Sequence, residues 1–387
     1  MKNILLLGAT GSIGDSVLSV IKQNSDKLNL TAISFQSNLT KALSIIEEFD
    51  PNYVYCESKA NLSSINDSLE RSEGIELFSE KSELEYLLKH KSIDIIISAI
   101  SGFSGLETTF MAVQTGKIIL LANKESIVVA GDIILPLAKK HNTKIIPIDS
   151  EHNAIFQCLN SEKNTNDVTK IIITASGGPF LNQKIDDLSK VTKKEALNHP
   201  NWKMGSKITI DSATLVNKCL ELIEAKYLFN LNEEYFELVV HPQSIIHSIV
   251  TYKDGSSICQ MSNPDMRVPI SHALSLEESR LSLDFTKINF SSLNLTFQEF
   301  PEDRLEIANL AREVCNTGGS SGTAFNAANE IAVENFLNGK ITFNKIYEVI
   351  YRTFNAVPVS NSINIEAIYE IDKQTRMEAK KVVKSLT

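Results

Sequence analysis

Short aliphatic runs alternate with longer amphipathic stretches through the first 150 residues, and no other feature limits the fold of this chain as much. Several runs are nearly continuous in Ile, Leu and Val, which is typical of parallel strands buried on both faces. The intervening stretches are long enough for crossover helices, so the pattern predicts βαβ units and an α/β fold. The predicted strands are Asn3–Leu7, Leu30–Phe35, Ile93–Ala99, Lys117–Leu121 and Lys144–Ile148.

After residue 149 the pattern changes, with stronger polar alternation in the strands and more helix toward the C-terminus. Gln157–Asp167 has the composition of a surface loop and 276–302 that of a linker. The predicted strands here are Lys170–Ala175, Tyr235–His241, Ile246–Tyr252 and Ser257–Met261. The predicted helices are Ser212–Phe229 and, after Arg304, Asn326–Leu337, Phe343–Phe354 and Ile365–Lys384.

The charge and the cysteines exclude several classes of protein. Lys and Arg total 38 against 47 Asp and Glu, so the net charge of −9 argues against a general nucleic-acid or membrane binder. Small anionic substrates remain compatible, because a local cluster of lysines can oppose the global sign. The five cysteines form no C-x-x-C pair, and the first apolar run, Ile4–Leu7, is too short for a secretion signal. We therefore expect a cytoplasmic protein.

A glycine-rich loop, G-A-T-G-S-I-G over 8–14, follows the first predicted strand and opens a helix. Glycines let the backbone approach a pyrophosphate, which then lies on N–H groups at the helix start. The alternative is a tight strand–helix turn that binds no ligand. After the second strand the chain reads Gln36-Ser37-Asn38, without the acid that usually holds the ribose 2′-OH of NAD. NADP is therefore favoured, and Lys41 is the nearest cation.

Two carboxylates follow the strand Lys144–Ile148. Asp149 and Glu151 are two residues apart, so in an extended chain both point to one side at the carboxyl end of a parallel strand. Their oxygens suit Mg²⁺ or Mn²⁺. The alternative is a solvated acidic loop in which Asp149 caps a helix that begins near His152.

A second polar group lies on the predicted helix Ser212–Phe229. Asn217, Lys218 and Glu221 share one helical face, where Glu221 can complete a three-carboxylate cation site. Ser212, Asn217 and Lys218 can bind a phosphate. The alternative is an exposed polar face with a weak Lys–Glu pair.

Two loops complete the candidate site. The first loop is S-G-G-P-F over 176–180, whose glycines let Ser176 approach an anion. The alternative is a plain turn. Trp202, the chain's one tryptophan, lies in a Pro- and Gly-bounded loop and either closes over a substrate or packs on the surface. His241 and His247 are interpreted as structural histidines.

Together these segments closely resemble the 1-deoxy-D-xylulose 5-phosphate reductoisomerase family. The matching blocks run in order over residues 4–330: GATGSIG, LLANKES, PIDSEHNAIFQ, SGGPF, HPNWKMG, DSATLVNKCLE, HPQSIIHS, NPDMRVPI and FNAANE. The resemblance implies an N-terminal Rossmann-like domain over 1–148 with a doubly wound parallel sheet. It also implies an α+β catalytic domain over 149–275 with a lid at about 198–206, a linker over 276–303, and a C-terminal α-helical bundle over 304–387.

The resemblance further implies a homodimer that uses NADPH and Mg²⁺ or Mn²⁺. Its substrate is a small phosphorylated keto-sugar, which is rearranged and then reduced to 2-C-methyl-D-erythritol 4-phosphate. The implied metal ligands are Asp149, Glu151 and Glu221, and the implied catalytic residues are Lys124, Glu151 and His199. The implied substrate contacts are Ser150, Glu151, Ser176, His199, Trp202, Ser212, Asn217, Lys218 and Glu221. The implied cofactor contacts are Thr10, Gly11, Ser12, Ile13, Gln36, Ser37, Asn38, Asn123, Lys124, Glu125, Met204 and Gly205.

The sequence departs from the family where many members have a basic residue, since it has Gln36-Ser37-Asn38 there, and Cys219 stands where Gly or Ala is common. Two alternative functions remain at this point. One is another NADP-linked, metal-dependent reductase or isomeroreductase that acts on a different anionic substrate. The other is a nucleotide-binding sensor without catalytic activity.

Overall fold

A computed structural model describes residues 1–68, 74–160, 165–275, 278–361 and 364–387. Parts of the predicted loop (161–164) and of the predicted linker (276–277) lie outside these residues. The described strands are β1 Lys2–Leu7, β2 Leu28–Ser34, β3 Tyr53–Tyr55, β4 Glu76–Phe78, β5 Ile95–Ser98, β6 Ile118–Leu121, β7 Lys144–Pro147, β8 Val168–Ala175, β9 Phe236–Val240, β10 Ile246–Tyr252, β11 Ser257–Met261 and β12 Gln298–Glu299.

The described helices begin and end as follows. They are α1 Ser12–Gln23, α2 Leu39–Phe49, α3 Lys59–Ser68, α4 Lys81–Lys89, α5 Leu106–Ala112, α6 Lys124–Lys140, α7 Ser150–Asn160, α8 Lys193–Ala196, α9 Ser206–Thr214, α10 Val216–Phe229, α11 Arg267–Ser275, α12 Leu305–Thr317, α13 Ser321–Leu337, α14 Lys345–Ala356 and α15 Ile365–Leu386. None of these described helices has both the length and the apolar character needed to cross a membrane.

The chain forms two compact units. The first unit comprises Met1–Asn123, Pro136–Asp149 and Met266–Phe285, and the second comprises Lys124–Leu135, Ser150–Asp265 and Thr286–Thr387. The predicted α/β fold with a helical C-terminus is confirmed. The predicted domain boundaries at 148, 275 and 303 stay a prediction, and the compact units group the chain differently.

The first unit is built on a parallel sheet with strand order β4-β3-β2-β1-β5-β6-β7. The order runs in opposite directions from β1, so the sheet is doubly wound and its switch point lies between β1 and β5. The β1 side chains Ile4–Leu7 are fully buried, as expected of a strand covered on both faces. The glycine loop follows β1 and therefore lies at the switch point, where such sheets bind ligands.

The second unit packs helices on a mixed sheet with strand order β11-β10-β8-β9-β12. Strand β8 pairs parallel with β9 and antiparallel with β10. Helices α9, α10, α12, α13 and α14 contribute to one large apolar core, whose fully buried aromatic side chains include Phe325 and Phe343. This core gives α10 a rigid position, and α10 carries most of the predicted polar cluster.

Candidate active site

The predicted long helix over Ser212–Phe229 is wrong, because the chain breaks into α9 and α10 at Leu215. Leu215 has a left-handed backbone with φ 62°, which ends α9 and starts α10. The residue is only 3% exposed. Burial of its side chain therefore offsets the cost of this conformation, which non-glycine residues seldom adopt.

The polar face of α10 is buried, so the alternative of a solvated face is wrong. Lys218 and Glu221 are 4% and 1% exposed. The Lys218 ammonium donates to Glu151 Oε1 on α7 at 2.8 Å and also to Glu221 Oε2. Lys124 on α6 donates to Glu221 Oε1 at 3.1 Å. Two carboxylates thus face two ammonium groups in a buried cluster, which satisfies the requirement that buried charges be paired.

Neighbouring polar groups fix the orientation of these carboxylates. Ser150 donates to Glu151 Oε2 at 2.6 Å, and Ser248 on β10 donates to the Glu151 backbone carbonyl at 3.0 Å. The Asn217 amide donates to Glu221, and its carbonyl oxygen accepts from Lys124 at 3.1 Å. Burial lowers the pKa of Lys218, but the carboxylates of Glu151 and Glu221 outweigh it, so the pKa is raised and the ammonium stays charged.

The expected extended geometry of Asp149 and Glu151 is wrong. Helix α7 begins at Ser150, so Glu151 lies in its first turn rather than on a continuation of β7. Helix α7 also runs to Asn160, so it occupies the first part of the predicted loop over Gln157–Asp167. Asp149 ends the segment Pro136–Asp149 of the first unit and directly precedes Ser150 in the chain.

Sequence reasoning missed a buried pair beside this cluster. His152 Nε2 lies 3.0 Å from the Glu221 carbonyl oxygen and 3.4 Å from Glu224 Oε2. Both side chains are at most 1% exposed. The signal was present in the sequence, since His152 follows Glu151 directly and Glu224 follows Glu221 by three residues, on the same side of the helix.

Ser176, His199 and Ser212 converge as expected. His199 Nε2 lies 3.0 Å from Ser176 Oγ and 3.1 Å from Ser212 Oγ. Its Nδ1 accepts from the backbone N–H groups of Asn201 and Trp202, so we assign the proton of the neutral ring to Nε2. Burial lowers the pKa of His199 to about 4. This neutral ring orients two hydroxyls whose protons can be donated to an anion.

Asn217 and Lys218, which were also expected to bind phosphate, form hydrogen bonds within the carboxylate–lysine cluster. The recorded bonds of Asn217 and Lys218 are to Glu151, Glu221 and Lys124. In the predicted lid, Trp202 and Met204 are partly exposed, and the Trp202 ring meets His247 edge to face with centroids 6.0 Å apart. Their phosphate and lid roles stay predictions.

The glycine loop requires glycine at two positions, one for its backbone conformation and one for lack of space. Gly8 has φ +83°, and a Cβ on Gly14 would lie 2.1 Å from the Ala9 carbonyl oxygen. Gly11 is exposed at the start of α1, and this N-cap residue makes no side-chain cap hydrogen bond. The loop therefore brings a helix start to the switch point of the sheet. Of the other residues expected to contact cofactor in this unit, Asn123 is buried and donates to the Gly102 carbonyl at 2.9 Å.

Glu125 belongs to a network that the sequence did not predict. Lys207, next to the predicted lid, lies 2.8 Å from both Glu125 Oε1 and Asp211 Oδ2. Asn329 on α13 donates to Asp211 Oδ1 at 2.9 Å. Burial raises the pKa of Glu125, but Lys207 outweighs it and the pKa is lowered, so the carboxylate stays ionised. This network connects α9, α6 and α13 within the second unit.

Three family models match the chain in succession. They are described as 1-deoxy-D-xylulose 5-phosphate reductoisomerase over residues 4–131, its C-terminal domain over 145–229, and DXP reductoisomerase C-terminal domain over 261–378. The chain is 41% identical to the reductoisomerase of Psychromonas ingrahamii, covering 99% of both chains. It is 43% identical to that of Clostridium botulinum strain Loch Maree, covering 97% of this chain and 98% of the relative.

Solved structures agree with these matches. One is a crystal structure of DOX-P reductoisomerase with NADPH, fosmidomycin and magnesium, with a TM-score of 0.91 and 38% identity over 99% of this chain and 98% of that one. Another is the Zymomonas mobilis 1-deoxy-D-xylulose 5-phosphate reductoisomerase with NADPH, with a TM-score of 0.91 and 37% identity over 100% of both chains.

Proposed function

Because the chain belongs to the 1-deoxy-D-xylulose 5-phosphate reductoisomerase family, we propose that its buried carboxylate–lysine cluster is the centre of that reaction. The enzyme rearranges 1-deoxy-D-xylulose 5-phosphate and reduces the resulting aldehyde with hydride from NADPH. The product is 2-C-methyl-D-erythritol 4-phosphate. The observation that carries the proposal is the convergence of Glu151 and Glu221 with Lys124 and Lys218 in a buried site.

The cluster fits a divalent cation. Glu151 and Glu221 place carboxylate oxygens within 4.8 Å of one another, and such hard oxygen donors suit Mg²⁺. Asp149 is the proposed third ligand, since it immediately precedes helix α7, which carries Glu151. A bound cation acts as a Lewis acid that stabilises negative charge on the substrate oxygens. Mn²⁺ offers the same coordination chemistry, and we propose it as a second usable metal.

The lysines hold the carboxylates in place and supply positive charge. Lys124 and Lys218 neutralise Glu221 and Glu151, so cation binding at these carboxylates leaves two ammonium groups available for an anionic substrate. Lys124, at the start of α6, donates toward the reacting oxygens. Fixed positive charges in a site protected from water stabilise the negative charge that develops on the substrate oxygens better than water does.

Ser176, His199 and Ser212 form the proposed phosphate site. Because Nε2–H of His199 donates to the serine oxygens, both hydroxyl protons can point toward the phosphate. Anchoring the phosphate far from the reacting carbons orients the substrate through remote binding energy. Trp202 and Met204 close over the substrate and keep water from the aldehyde. Ser150, Asn217 and Lys218 complete the proposed substrate contacts.

In this proposal the first unit binds the pyrophosphate and the adenosine ribose of NADPH. Thr10, Gly11, Ser12 and Ile13 present the start of α1 to the pyrophosphate, and the N-cap residue Gly11 has no side chain that would cap the helix. Gln36, Ser37 and Asn38 lie at the end of β2, where the adenosine ribose binds in such sheets. Asn123, Lys124, Glu125, Met204 and Gly205 are the proposed contacts to the nicotinamide end.

The decisive experiment is NADPH oxidation by the purified protein with 1-deoxy-D-xylulose 5-phosphate and Mg²⁺. We expect turnover that stops when the metal is chelated and returns when Mg²⁺ or Mn²⁺ is added. Other small anionic substrates serve as controls for a different metal-dependent reductase. NADPH binding with no turnover would contradict the proposal and favour the sensor alternative.

The assembly and location are also part of the proposal. We propose a homodimer in the cytoplasm, as the family resemblance implies. Light scattering coupled to size-exclusion chromatography measures the mass directly, and a particle of 42.9 kDa would contradict the dimer.

A further inference from the structure

Residues 36–38 follow β2 and include no cation to bind the 2′-phosphate of NADPH, where many family members have a basic residue. NADPH differs from NADH by a phosphate on the adenosine ribose, which lies near the carboxyl end of the second strand. Gln36, Ser37 and Asn38 are exposed there and carry no charge. The Asn38 side chain already caps α2, because its Oδ1 accepts from the Lys41 backbone N–H at 3.2 Å. Uncharged groups alone are weak partners for a phosphate dianion.

Lys41 lies one turn further on, in the first turn of α2. Its ammonium reaches back to the glycine loop, donating to the Thr10 carbonyl at 3.0 Å and pairing with Asp15 Oδ1 at 2.6 Å. The side chain is 29% exposed, and that of Asp15 is 60% exposed. The ammonium therefore lies between the glycine loop and the end of β2, in the region where the adenosine ribose binds.

We propose that Lys41 binds the 2′-phosphate of NADPH and gives this chain its preference for NADPH over NADH. The inference rests on the proposed function only in that the cofactor is NADPH. An ammonium has three N–H groups, of which the Thr10 carbonyl and Asp15 occupy two. Asp15 is mostly exposed, so its carboxylate can turn to solvent and leave a second N–H to the phosphate.

The competing interpretation is that Lys41 only ties α1 to α2. The chain provides a matched comparison, because Lys22 on α1 pairs with Glu48 on α2 at the opposite ends of the same two helices. Both of those side chains are largely exposed, and the pair lies away from the glycine loop. Removing Lys22 therefore measures the effect of losing an α1–α2 ion pair without touching the cofactor region.

The experiment is calorimetric titration of the full-length protein with 2′,5′-ADP and with 5′-AMP, which differ by the 2′-phosphate. For Lys41→Met we expect the dissociation constant of 2′,5′-ADP to rise about tenfold or more, as for loss of a charge-assisted hydrogen bond, with that of 5′-AMP within about twofold of wild type. Lys41→Arg should keep most of the preference, and Lys22→Met should change neither constant.

The direction in which Asp15→Asn changes the affinity for 2′,5′-ADP distinguishes the two interpretations. If Lys41 binds the phosphate, removal of the competing carboxylate tightens 2′,5′-ADP binding. If Lys41 only ties the helices, Asp15→Asn and Lys41→Met have the same effect on both nucleotides, which would overturn the inference. Equal weakening of 2′,5′-ADP and 5′-AMP by Lys41→Met would overturn it too. Turnover of 1-deoxy-D-xylulose 5-phosphate is measured separately, so failure of the proposed function would appear in wild type without altering the 2′-phosphate selectivity.

Discussion

At the scale of single residues, Glu221 is a buried carboxylate of the second unit with three hydrogen-bond donors around it. It is 1% exposed and receives hydrogen bonds from Lys124, Asn217 and Lys218. For Glu221→Gln we expect turnover to fall about a hundredfold or more, because a neutral amide is a poor ligand for Mg²⁺ and leaves a buried ammonium less well paired. NADPH binding, measured by calorimetry, should be nearly unchanged, since Glu221 is not a proposed cofactor contact and the glycine loop belongs to the first unit.

The control for this variant is Glu237→Gln. Glu237 is a surface carboxylate on β9 that also pairs with a lysine, Lys170, at 2.6 Å. Exposed pairs contribute little, so this variant should keep wild-type turnover. Wild-type turnover in Glu221→Gln would show that the metal assignment is wrong.

Residue patterns predicted the polar face of α10 but not the side chains that it contacts. The spacing of Asn217, Lys218 and Glu221 predicted one polar face, and that face exists. Whether it faces solvent or a buried lysine depends on α6 and α7, which are distant in sequence. The partners Lys124 and Glu151 therefore became identifiable as partners only in three dimensions, as did Lys207 with Glu125.

At the scale of elements, the first part of α6 is held against α13 by close backbone contact. A Cβ on Gly322 would lie 1.9 Å from the Val128 carbonyl oxygen, and Thr323 donates to the Val129 carbonyl at 3.0 Å. We expect Gly322→Ala to lower the free energy of unfolding by about 3 kcal/mol, since both helices are packed and cannot easily separate. Urea unfolding measures the loss, and turnover should fall with it because α6 carries Lys124.

Gly205→Ala is the matched stability control. An added Cβ at Gly205 has nothing within 4 Å, and this glycine lies just before α9. Its unfolding midpoint should stay close to that of wild type. A Gly322→Ala protein as stable as the Gly205→Ala protein would mean that α6 and α13 can separate freely.

The elements that the sequence did not predict have specific physical causes. Strands β3 and β4 have three residues each, too few for a periodic pattern to emerge. The break at Leu215 carries no glycine or proline, because core burial rather than backbone preference stabilises it. Long strands such as β10 and β11 were predicted with the bounds that the structure shows, since their alternation extends over five residues or more.

At the scale of the whole molecule, each unit contains a histidine that burial keeps neutral. Burial lowers the pKa of His199 in the second unit to about 4, and burial with nearby Arg280 lowers that of His272 in the first unit to about 4. In the unfolded chain both protonate near pH 6.5. Between pH 6.5 and 4 the unfolded state thus binds more protons than the folded state. These two histidines therefore do not reduce the free energy of unfolding above about pH 6.5, and they reduce it increasingly as the pH drops toward 4.

Melting temperatures at pH 7, 6 and 5 test this dependence. We expect a steady fall, and His272→Asn should show a shallower fall than wild type because one histidine with a lowered pKa no longer titrates. An unchanged slope in that variant would contradict the role of His272.

The segment Met266–Phe285 has a consequence for how the protein is made. It belongs to the first unit, where Lys2 donates to the Leu274 carbonyl at 3.1 Å and Asn24 to the Ser282 carbonyl at 3.0 Å. These contacts join Lys2 and Asn24 to residues synthesised more than 250 positions later. The first unit therefore cannot complete its packing during synthesis until Ser150–Asp265 of the second unit has been made. Until then its early strands stay partly uncovered.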